Sequence, residues 1–276
     1  MIQITDLVVE FGSLRAVDGL SLHVPRGRLF GLLGPNGAGK STTIACIGGL
    51  TTPTRGTIRV DGQAVSLETR RRIGIVPQRL ALYLGLDVMQ NLRIAGGLYG
   101  LSGARLAERV RWGLALARLE GREHATVGTL SGGMQRRLNL ACAILHDPPL
   151  VICDEPTTGV DPQSRNHLFD TIRELHKEGR TIVYTTHYME EVEALCEDVA
   201  IMDHGRLLRC APLAELTAAA GQARTYTLDL AEGASEAAVR AALEAAGLRV
   251  EGLVPPSRGL EEVFLELTGR ALRDAS

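Results

Sequence analysis

Eight residues between Gly34 and Ser41 have the types and spacing of a loop that binds phosphate. They comprise a glycine, four intervening residues, a second glycine, a lysine and a serine. Glycines let the backbone curve until its N–H groups point at an anion, and a following helix adds the positive end of its dipole. Lys40 is expected to reach the β and γ phosphates, Ser41 to bind Mg²⁺ and Thr42 to touch phosphate. The predicted nucleotide-binding residues here are Gly34, Pro35, Asn36, Gly37, Ala38, Gly39, Lys40, Ser41 and Thr42.

Two acidic residues, Asp154 and Glu155, follow the apolar run Leu150 to Cys153. A carboxylate at the C-terminal end of a strand can reach a phosphate-bound Mg²⁺, so Asp154 is a predicted metal ligand, directly or through water. Glu155 is predicted to hold and polarise the water that attacks the γ phosphorus. Acidic residues end many strands, so the pair indicates a site only in combination with the loop upstream.

A second glycine-rich segment runs from Leu130 to Gln135 as Leu-Ser-Gly-Gly-Met-Gln, directly before the helical run Arg136 to Leu145. A helix N-terminus that carries glycines and a serine hydroxyl is again suited to phosphate. The chain therefore carries two predicted phosphate-binding segments.

In order and spacing, these segments resemble those of the nucleotide-binding subunits of ATP-binding cassette (ABC) transporters, whose signature Leu130 to Gln135 matches. The resemblance runs from Ile2 to about Leu216. It implies ATP and Mg²⁺ as ligands, a D-loop from Gly159 to Asp161, an aromatic that stacks on adenine, a Q-loop glutamine and a switch histidine. The implied catalytic residues are Glu155, His187 and Gln78, the implied metal ligands are Ser41, Gln78 and Asp154, and the further nucleotide contacts are Phe11, Ser131, Gly132, Gly133, Gln135 and Asp161.

Gln78 and His187 have side chains that can sense the γ phosphate. An amide can connect Mg²⁺ and the attacking water to the surface beside a helical insertion, and an imidazole after a strand can donate a hydrogen bond to phosphate. Family resemblance also implies that the phosphate loop and the signature face opposite ways, so that each ATP lies between two subunits. A second ATPase subunit, in a homodimer, is therefore an expected partner.

Transport is the work that the resemblance implies. No apolar stretch approaches the about 18 residues needed to span a bilayer, so a separate integral membrane permease is expected to dock near Gln78 and the helical insertion. The segments Phe30 to Leu33, Thr185 to Glu191 and Leu260 to Phe264 resemble ATPases of ABC-2 type exporters for drugs and antibiotics. The leading hypothesis is ATP hydrolysis that powers export of a drug-like, lipid or other amphiphilic compound.

Three alternative functions use the same phosphate loop. One is the ATPase of an ABC importer, and another is a soluble ABC ATPase that acts on ribosomes or DNA, although such proteins generally join two cassettes or carry long coiled-coil insertions. A GTPase or small-molecule kinase is the third, and it would leave the signature unexplained.

Composition and charge favour a globular protein that does not bind nucleic acid. The 276 residues are 45% hydrophobic and 22% charged, with a formal net charge of −2 and a pI near 6.4. The clusters Arg70 to Arg72 and Arg136-Arg137 could be local contacts for nucleic acid, but their default interpretation is solvated surface. The five cysteines are interpreted as reduced core residues. The chain is expected in the cytoplasm, peripheral on the inner face of the cell membrane.

The pattern of predicted strands and helices that would position the candidate site residues favours an α/β fold. Period-two spacing predicts two antiparallel strands at the N-terminus, and apolar runs at Leu29 to Leu33, Leu150 to Cys153 and Thr181 to Tyr184 predict strands buried on both faces. Asp161 and Pro162 predict the start of a helix that ends at Lys177. The predicted fold class is a P-loop NTPase of the ABC ATPase type, with a mixed or parallel sheet core, N-terminal antiparallel strands and an inserted helical subdomain.

Two domains are predicted. Residues 1–220 form the ATPase domain, with the helical subdomain at about 79–148, and residues 221–276 form a small C-terminal α+β extension. The extension is predicted as strand Tyr226 to Leu230, helix Glu236 to Ala246, strand Leu248 to Leu253 and helix Leu260 to Leu272.

Overall fold

Two β-sheets form the frame of this computed structural model, which describes residues 1–218, 236–246, 263–264 and 267–268. The strands are β1 (Ile2–Phe11), β2 (Leu14–Val24), β3 (Leu29–Leu33), β4 (Arg55–Val60), β5 (Gln63–Ala64), β6 (Ile73–Val76), β7 (Leu150–Asp154), β8 (Thr181–Thr186), β9 (Asp198–Asp203) and β10 (Arg206–Pro212). The helices are α1 (Lys40–Ile47), α2 (Leu67–Arg70), α3 (Val88–Leu98), α4 (Gly103–Leu116), α5 (Gly132–Ala143), α6 (Pro162–Lys177), α7 (Met189–Leu195), α8 (Leu213–Ala218) and α9 (Glu236–Ala245), with a 3-10 turn at Val127–Thr129.

The larger sheet is mixed and has the order β10-β9-β3-β8-β7-β6. β3 pairs in parallel with β8 and β9, β7 pairs in parallel with β6 and β8, and β10 runs antiparallel to β9. The smaller sheet, β2-β1-β4-β5, is antiparallel. Parallel strands end at one edge of their sheet, so the loops after β3, β6, β7 and β8 meet there. These four loops carry the predicted phosphate loop, Gln78, Glu155 and His187.

Alternate residues of β3 face two different layers of the core. All five residues of the strand are buried. Leu29 and Leu33 join the apolar cluster that contains α6 and α7, while Phe30 and Leu32 join the cluster that contains α1 and the antiparallel sheet. Burial of each such side chain contributes roughly 1.5–3 kcal/mol. This double burial fixes the register of β3 and therefore the point at which the phosphate loop leaves the sheet.

A third apolar cluster fills the space between α3, α4 and α5. It includes Val88, Leu92, Val110, Leu114 and Leu138, which recur at helical spacing on their helices. The inserted helices therefore have an apolar interior of their own, while Leu140 of α5 packs into the cluster of the larger sheet.

Polar residues extend two strands beyond the ends that the apolar runs predict. β7 includes Asp154 and β8 includes Thr185 and Thr186, and Asp154 pairs with Thr185 in the parallel ladder. These residues keep strand geometry because the hydrogen bonds of the ladder continue through them. A pattern of apolar residues cannot predict this continuation. Helix α6 begins and ends as predicted, with Asp161 as its N-cap.

Four of the five cysteines are buried, as interpreted, but Cys210 is exposed. Cys210 lies on β10, the edge strand of the larger sheet, and most residues of this strand are exposed. The interpretation of Cys210 as a core residue was therefore wrong.

The predicted extension is described only in part. Helix α9 matches its predicted helix except for the last residue, Ala246. Val263 and Phe264 are helical and buried, in the same apolar cluster as Leu216. Residues 267–268 are helical as well. The remaining predicted segments lie outside the described residues, namely the strands Tyr226 to Leu230 and Leu248 to Leu253 and residues 260–262, 265–266 and 269–272 of the final helix. Within the described ranges, no helix is long and apolar enough to cross a membrane.

Candidate functional site

The phosphate loop connects the end of β3 to the start of α1. Two of its glycines have left-handed backbone angles, with φ of 80° at Gly37 and 97° at Gly39. A Cβ atom at Gly39 would also lie 2.5 Å from the carbonyl oxygen of Ala16. Both the angle and the close approach therefore require glycine at position 39. The loop can curve tightly against β2 and present its N–H groups at the start of the helix.

Lys40 is buried at the base of this loop, with 4% of its surface exposed. Its Nζ donates hydrogen bonds to the carbonyl oxygens of Gly34 at 2.7 Å and Pro35 at 3.0 Å, and lies 3.3 Å from Oε1 of Glu155. Burial lowers the pKa of Lys40, and the neighbouring carboxylate of Glu155 opposes that effect. The loop therefore holds a poorly solvated ammonium group, which a bound phosphate would stabilise.

Ser41 and Asp154 place two oxygen ligands side by side. Ser41 Oγ donates a hydrogen bond to Asp154 Oδ1 at 3.2 Å, and Thr185 Oγ1 donates to the same oxygen at 2.7 Å. Adjacent oxygens around one octahedral Mg²⁺ lie about 3 Å apart, so the separation fits two ligands of one ion. Gln78, the third predicted ligand, lines one cleft together with Ser41. These residues fit a magnesium site, and the ligand set stays a prediction.

Glu155 gathers polar groups from four segments while only 5% exposed. Its Oε1 faces Lys40, and its Oε2 accepts hydrogen bonds from Gln78 Nε2 at 2.9 Å and Thr158 Oγ1 at 3.4 Å. His187 Nδ1 is 3.4 Å from Oε2 and makes no hydrogen bond to any described residue. A φ of 44° turns the chain sharply at Glu155, a conformation that costs roughly 1–3 kcal/mol outside glycine. The three predicted catalytic side chains, Glu155, Gln78 and His187, are thus brought together.

A cleft of about 640 Å³ opens beside the phosphate loop. Phe11 lines it with a side chain that is 53% exposed, so the ring has a free face on which a base can stack. Four lining residues carry no motif and were not predicted from the sequence: Leu14, Arg15, Ala16 and His204. Leu14 to Ala16 lie at the start of β2, against which the phosphate loop packs. His204 reaches the cleft because the turn between β9 and β10 docks on the loop, where Gly205 N donates to Ala38 O at 3.1 Å.

The signature and the D-loop lie against each other at the starts of α5 and α6. Ser131 caps α5, accepting a hydrogen bond from Met134 N at 3.3 Å, and Asp161 caps α6, accepting one from Ser164 N at 2.9 Å. A Cβ atom at Gly133 would collide with Ser164 Oγ, so this approach of the helices requires glycine. Among the described residues that line the cleft, none belongs to this signature cluster of Ser131 to Gly133 and Asp161.

Gln135, a predicted nucleotide contact, makes hydrogen bonds within its own segment of the chain. Its Nε2 donates hydrogen bonds to the carbonyl oxygens of Val127 at 3.0 Å and Leu130 at 3.2 Å. These bonds brace the turn that leads into the signature. Direct contact between Gln135 and nucleotide stays a prediction.

Glu191 is a buried residue beneath the site to which sequence reasoning gave no role. It is 2% exposed, and its carboxylate accepts hydrogen bonds from the hydroxyls of Thr157 and Thr186 at 2.7 Å each and of Tyr184 at 3.0 Å. It therefore ties the loop after β7 to the end of β8, directly behind Glu155 and His187. The available sequence signal was an acidic residue on the otherwise apolar buried face of α7.

Comparison with known proteins places these features in a family. Residues 17–158, just over half of the chain, match the family model for ABC transporters. The chain is 37% identical to the linearmycin resistance ATP-binding protein of Bacillus subtilis, over 99% of this chain and 100% of that protein. It is 40% identical to Nod factor export ATP-binding protein I of Cupriavidus metallidurans, over 99% of each.

Solved structures show the same fold. A structure of an ATP-binding subunit of an ABC transporter superposes with a TM-score of 0.75 at 30% identity and covers 97% of this chain and 99% of that one. A dimeric, post-hydrolysis structure of an ATP-binding cassette bound to ADP and Pi gives a TM-score of 0.70 at 26% identity, covering 77% of this chain and 99% of that one. The predicted fold class is confirmed.

Binding of Mg·ADP should take up protons at alkaline pH. Burial lowers the pKa of Lys40 below its ordinary value, and a bound phosphate raises it, so the complex holds more protons than the free protein just below about pH 10. Calorimetry at about pH 9 in two buffers of different ionisation enthalpy measures this uptake, which should vanish near pH 7. Lys177→Ala, at the only other lysine of the chain, should leave it unchanged. Equal heats in both buffers at about pH 9 would contradict this account of Lys40.

Proposed function

The chain belongs to the ABC transporter family as an ATP-hydrolysing subunit, and from this premise we propose that it powers export of an amphiphilic compound through a separate membrane permease. Two half-sites in one chain support this proposal. The cleft holds the phosphate loop and Glu155, whereas the signature cluster lies outside its lining. Each cluster is therefore complete only when a second subunit supplies the other. In a homodimer, an ATP between each phosphate loop and the signature of the opposite subunit completes both half-sites.

The phosphate loop binds the nucleotide through charge and backbone donors. Lys40 exchanges its two carbonyl partners and Glu155 for the β and γ phosphates, while Phe11 stacks on the base. Ser41, Gln78 and Asp154 would hold Mg²⁺, and Thr185 keeps Asp154 in place. When bound, Mg²⁺ neutralises charge on the phosphate oxygens.

Glu155 provides the base for hydrolysis. Water attacks the γ phosphorus in line, its proton passes to a Glu155 oxygen, and the bond to the β–γ bridging oxygen breaks to leave ADP. Gln78 and Thr158 already donate to Oε2 and so aim the carboxylate. His187, within 3.4 Å of the same oxygen, can turn a ring N–H toward the γ phosphate.

ATP acts on the dimer as a ligand that prefers the closed state. Ser131, Gly133 and His187 contact the γ phosphate in the closed dimer, so hydrolysis removes the contacts that favour closure. Closing and opening of the two subunits is then the mechanical step that a permease converts into transport.

An apolar groove of about 400 Å³ beside the helical insertion is the proposed docking surface for the permease. Leu80, Leu82, Tyr83 and Leu98 line it, and Leu98 is 79% exposed. The groove begins two residues after Gln78, so its occupant contacts the loop that touches Glu155. A short amphipathic helix on the inner side of the permease has the shape and chemistry to fill it. This contact would place the chain at the inner face of the membrane.

Export is favoured over import by the names of the relatives. One is a linearmycin resistance protein and the other a Nod factor export protein. Both relatives align over almost their full length. The transported compound is set by the permease, which recognises it inside the membrane.

Glu155→Gln should separate binding from hydrolysis. The amide keeps the shape of the side chain but cannot accept the proton, so turnover should fall about 100-fold or more while ATP affinity stays within about twofold. The variant should accumulate as an ATP-bound dimer in gel filtration. Lys40→Ala should instead lose binding itself, by about 10- to 100-fold, whereas Lys177→Ala should bind normally. Normal turnover in Glu155→Gln would remove Glu155 from the mechanism.

Leu98→Glu should weaken attachment of the proposed permease. A charge in the apolar groove leaves an ion without partners in the interface, so recovery of the permease on a tagged ATPase should fall several-fold. Leu67→Glu is the matched control, because Leu67 is 78% exposed and lies outside the groove. Equal recovery with both variants would place the permease elsewhere.

Inverted membrane vesicles that contain this ATPase and its permease should accumulate an amphiphilic fluorescent probe when ATP is added outside. Vesicles carrying Glu155→Gln should bind ATP but accumulate no probe. ATP-driven flux only in the opposite direction would identify an importer.

A further inference from the structure

Arg136 lies on α5, directly after the signature, and its side chain reaches from the helical insertion to the loops at the C-terminal edge of the larger sheet. Its Nη1 donates a hydrogen bond to the carbonyl oxygen of Gln78, and its Nη2 donates one to the carbonyl oxygen of Thr158 at 3.1 Å. The sequence interpretation of this arginine as solvated surface was therefore wrong.

The two residues that Arg136 binds share a further contact. Gln78 Nε2 and Thr158 Oγ1 both donate to the same atom, Oε2 of Glu155, at 2.9 Å and 3.4 Å. One guanidinium thus fixes the backbone of both residues whose side chains aim the Glu155 carboxylate. A planar guanidinium can donate in two directions at once, which the ammonium of a lysine cannot reproduce with the same geometry.

The surroundings of Arg136 do not suggest a simple stabilising ion pair. The side chain is half-buried and its pKa is lowered by that burial. No carboxylate lies within ion-pair distance of it in the described part of the chain, and its hydrogen bonds go to two carbonyl oxygens. A half-buried cation without a counter-ion is an inefficient way to stabilise a fold.

Arg137 shows what a purely local arginine on the same helix does. It is also half-buried, and its Nε donates to the carbonyl oxygen of Ala117 at 2.9 Å, inside the helical insertion. It touches neither Gln78 nor Thr158. The two neighbouring arginines are therefore alike in burial and charge, but only Arg136 binds the carbonyl oxygens of Gln78 and Thr158.

We propose that Arg136 is a positioning residue that ties the catalytic carboxylate of Glu155 to the signature helix through Gln78 and Thr158. The inference rests on the proposed function, because it takes Glu155 as the base and Ser131 as a contact to the opposite ATP. Arg136 lies five positions after Ser131, a rise of about 8 Å along the helix. A shift of α5 on closure of the dimer moves both carbonyl partners and so the carboxylate that they aim.

Arg136→Lys and Arg136→Gln test the proposal in the full-length protein. Both should lower kcat for ATP by about 10- to 100-fold, the scale on which misplacement of a catalytic group acts. KM should stay within about twofold. In the Glu155→Gln background, Arg136→Lys should leave ATP-dependent dimerisation unchanged, because the signature contact to the opposite nucleotide is intact. Arg137→Gln should keep kcat within about twofold even if it lowers the melting temperature.

A double-mutant cycle with Gln78→Ala tests the route. If Arg136 acts through Gln78, the double variant Gln78→Ala with Arg136→Lys should be little slower than the slower single variant. Effects on kcat that multiply would overturn the route, and a wild-type kcat in Arg136→Lys would overturn the proposal. Loss of ATP-dependent dimerisation by Arg136→Lys in the Glu155→Gln background would also overturn the proposal. It would show that Arg136 supports the contact of the signature with the opposite nucleotide. Absence of ATP turnover in the wild-type protein would instead contradict the proposed function, so the two failures are distinguishable.

Discussion

A buried carboxylate at the end of β7 sets the requirements for the whole site. Glu155 is 5% exposed, and an anion with so little water is costly unless charged or polar groups surround it. The compensation comes from Lys40 on α1, Gln78 after β6, Thr158 after β7 and His187 after β8. No two neighbouring strands could supply all four. The parallel order of β3, β8, β7 and β6 brings these loops to one edge, so the core that fixes the strands also fixes the chemistry.

The same contacts explain why a phosphate changes the state of the site. Lys40 is shared between the loop carbonyls and Glu155, and a γ phosphate competes for that single ammonium. When the cation turns to the phosphate, the carboxylate of Glu155 loses its contact with the ammonium of Lys40. Binding would thus free the proposed base, Glu155, to contact the attacking water. Gln78 and Thr158 keep the carboxylate aimed while this exchange occurs, because their donors are neutral and do not follow the phosphate.

The sequence was informative where the chemistry depends on neighbours along the chain. Gly34 to Ser41 could be interpreted directly, since a loop that wraps phosphate needs glycine and lysine at fixed spacing. Leu29 to Leu33 and Pro162–Lys177 could be interpreted because burial and capping leave local patterns. Thr185, Arg15 and His204 could not, because each reaches the site from a distant strand or turn. Arg136 was misinterpreted for a related reason: its partners are carbonyl groups, which every residue has and no side-chain pattern reveals.

The loop after β6 connects the proposed permease groove to Glu155 without a flexible joint. Beyond Gln78, its backbone is held by buried amides of the helical insertion: Asn139 accepts a hydrogen bond from Ala81 N at 2.9 Å, and Asn91 accepts one from Tyr83 N at 2.8 Å. Since buried amides of this kind rarely exchange partners, the loop and the insertion should move together. A displacement of the groove is then carried to Gln78 within a few residues. Because Gln78 donates a hydrogen bond to Glu155, a displacement of the insertion would also shift the carboxylate of the proposed base.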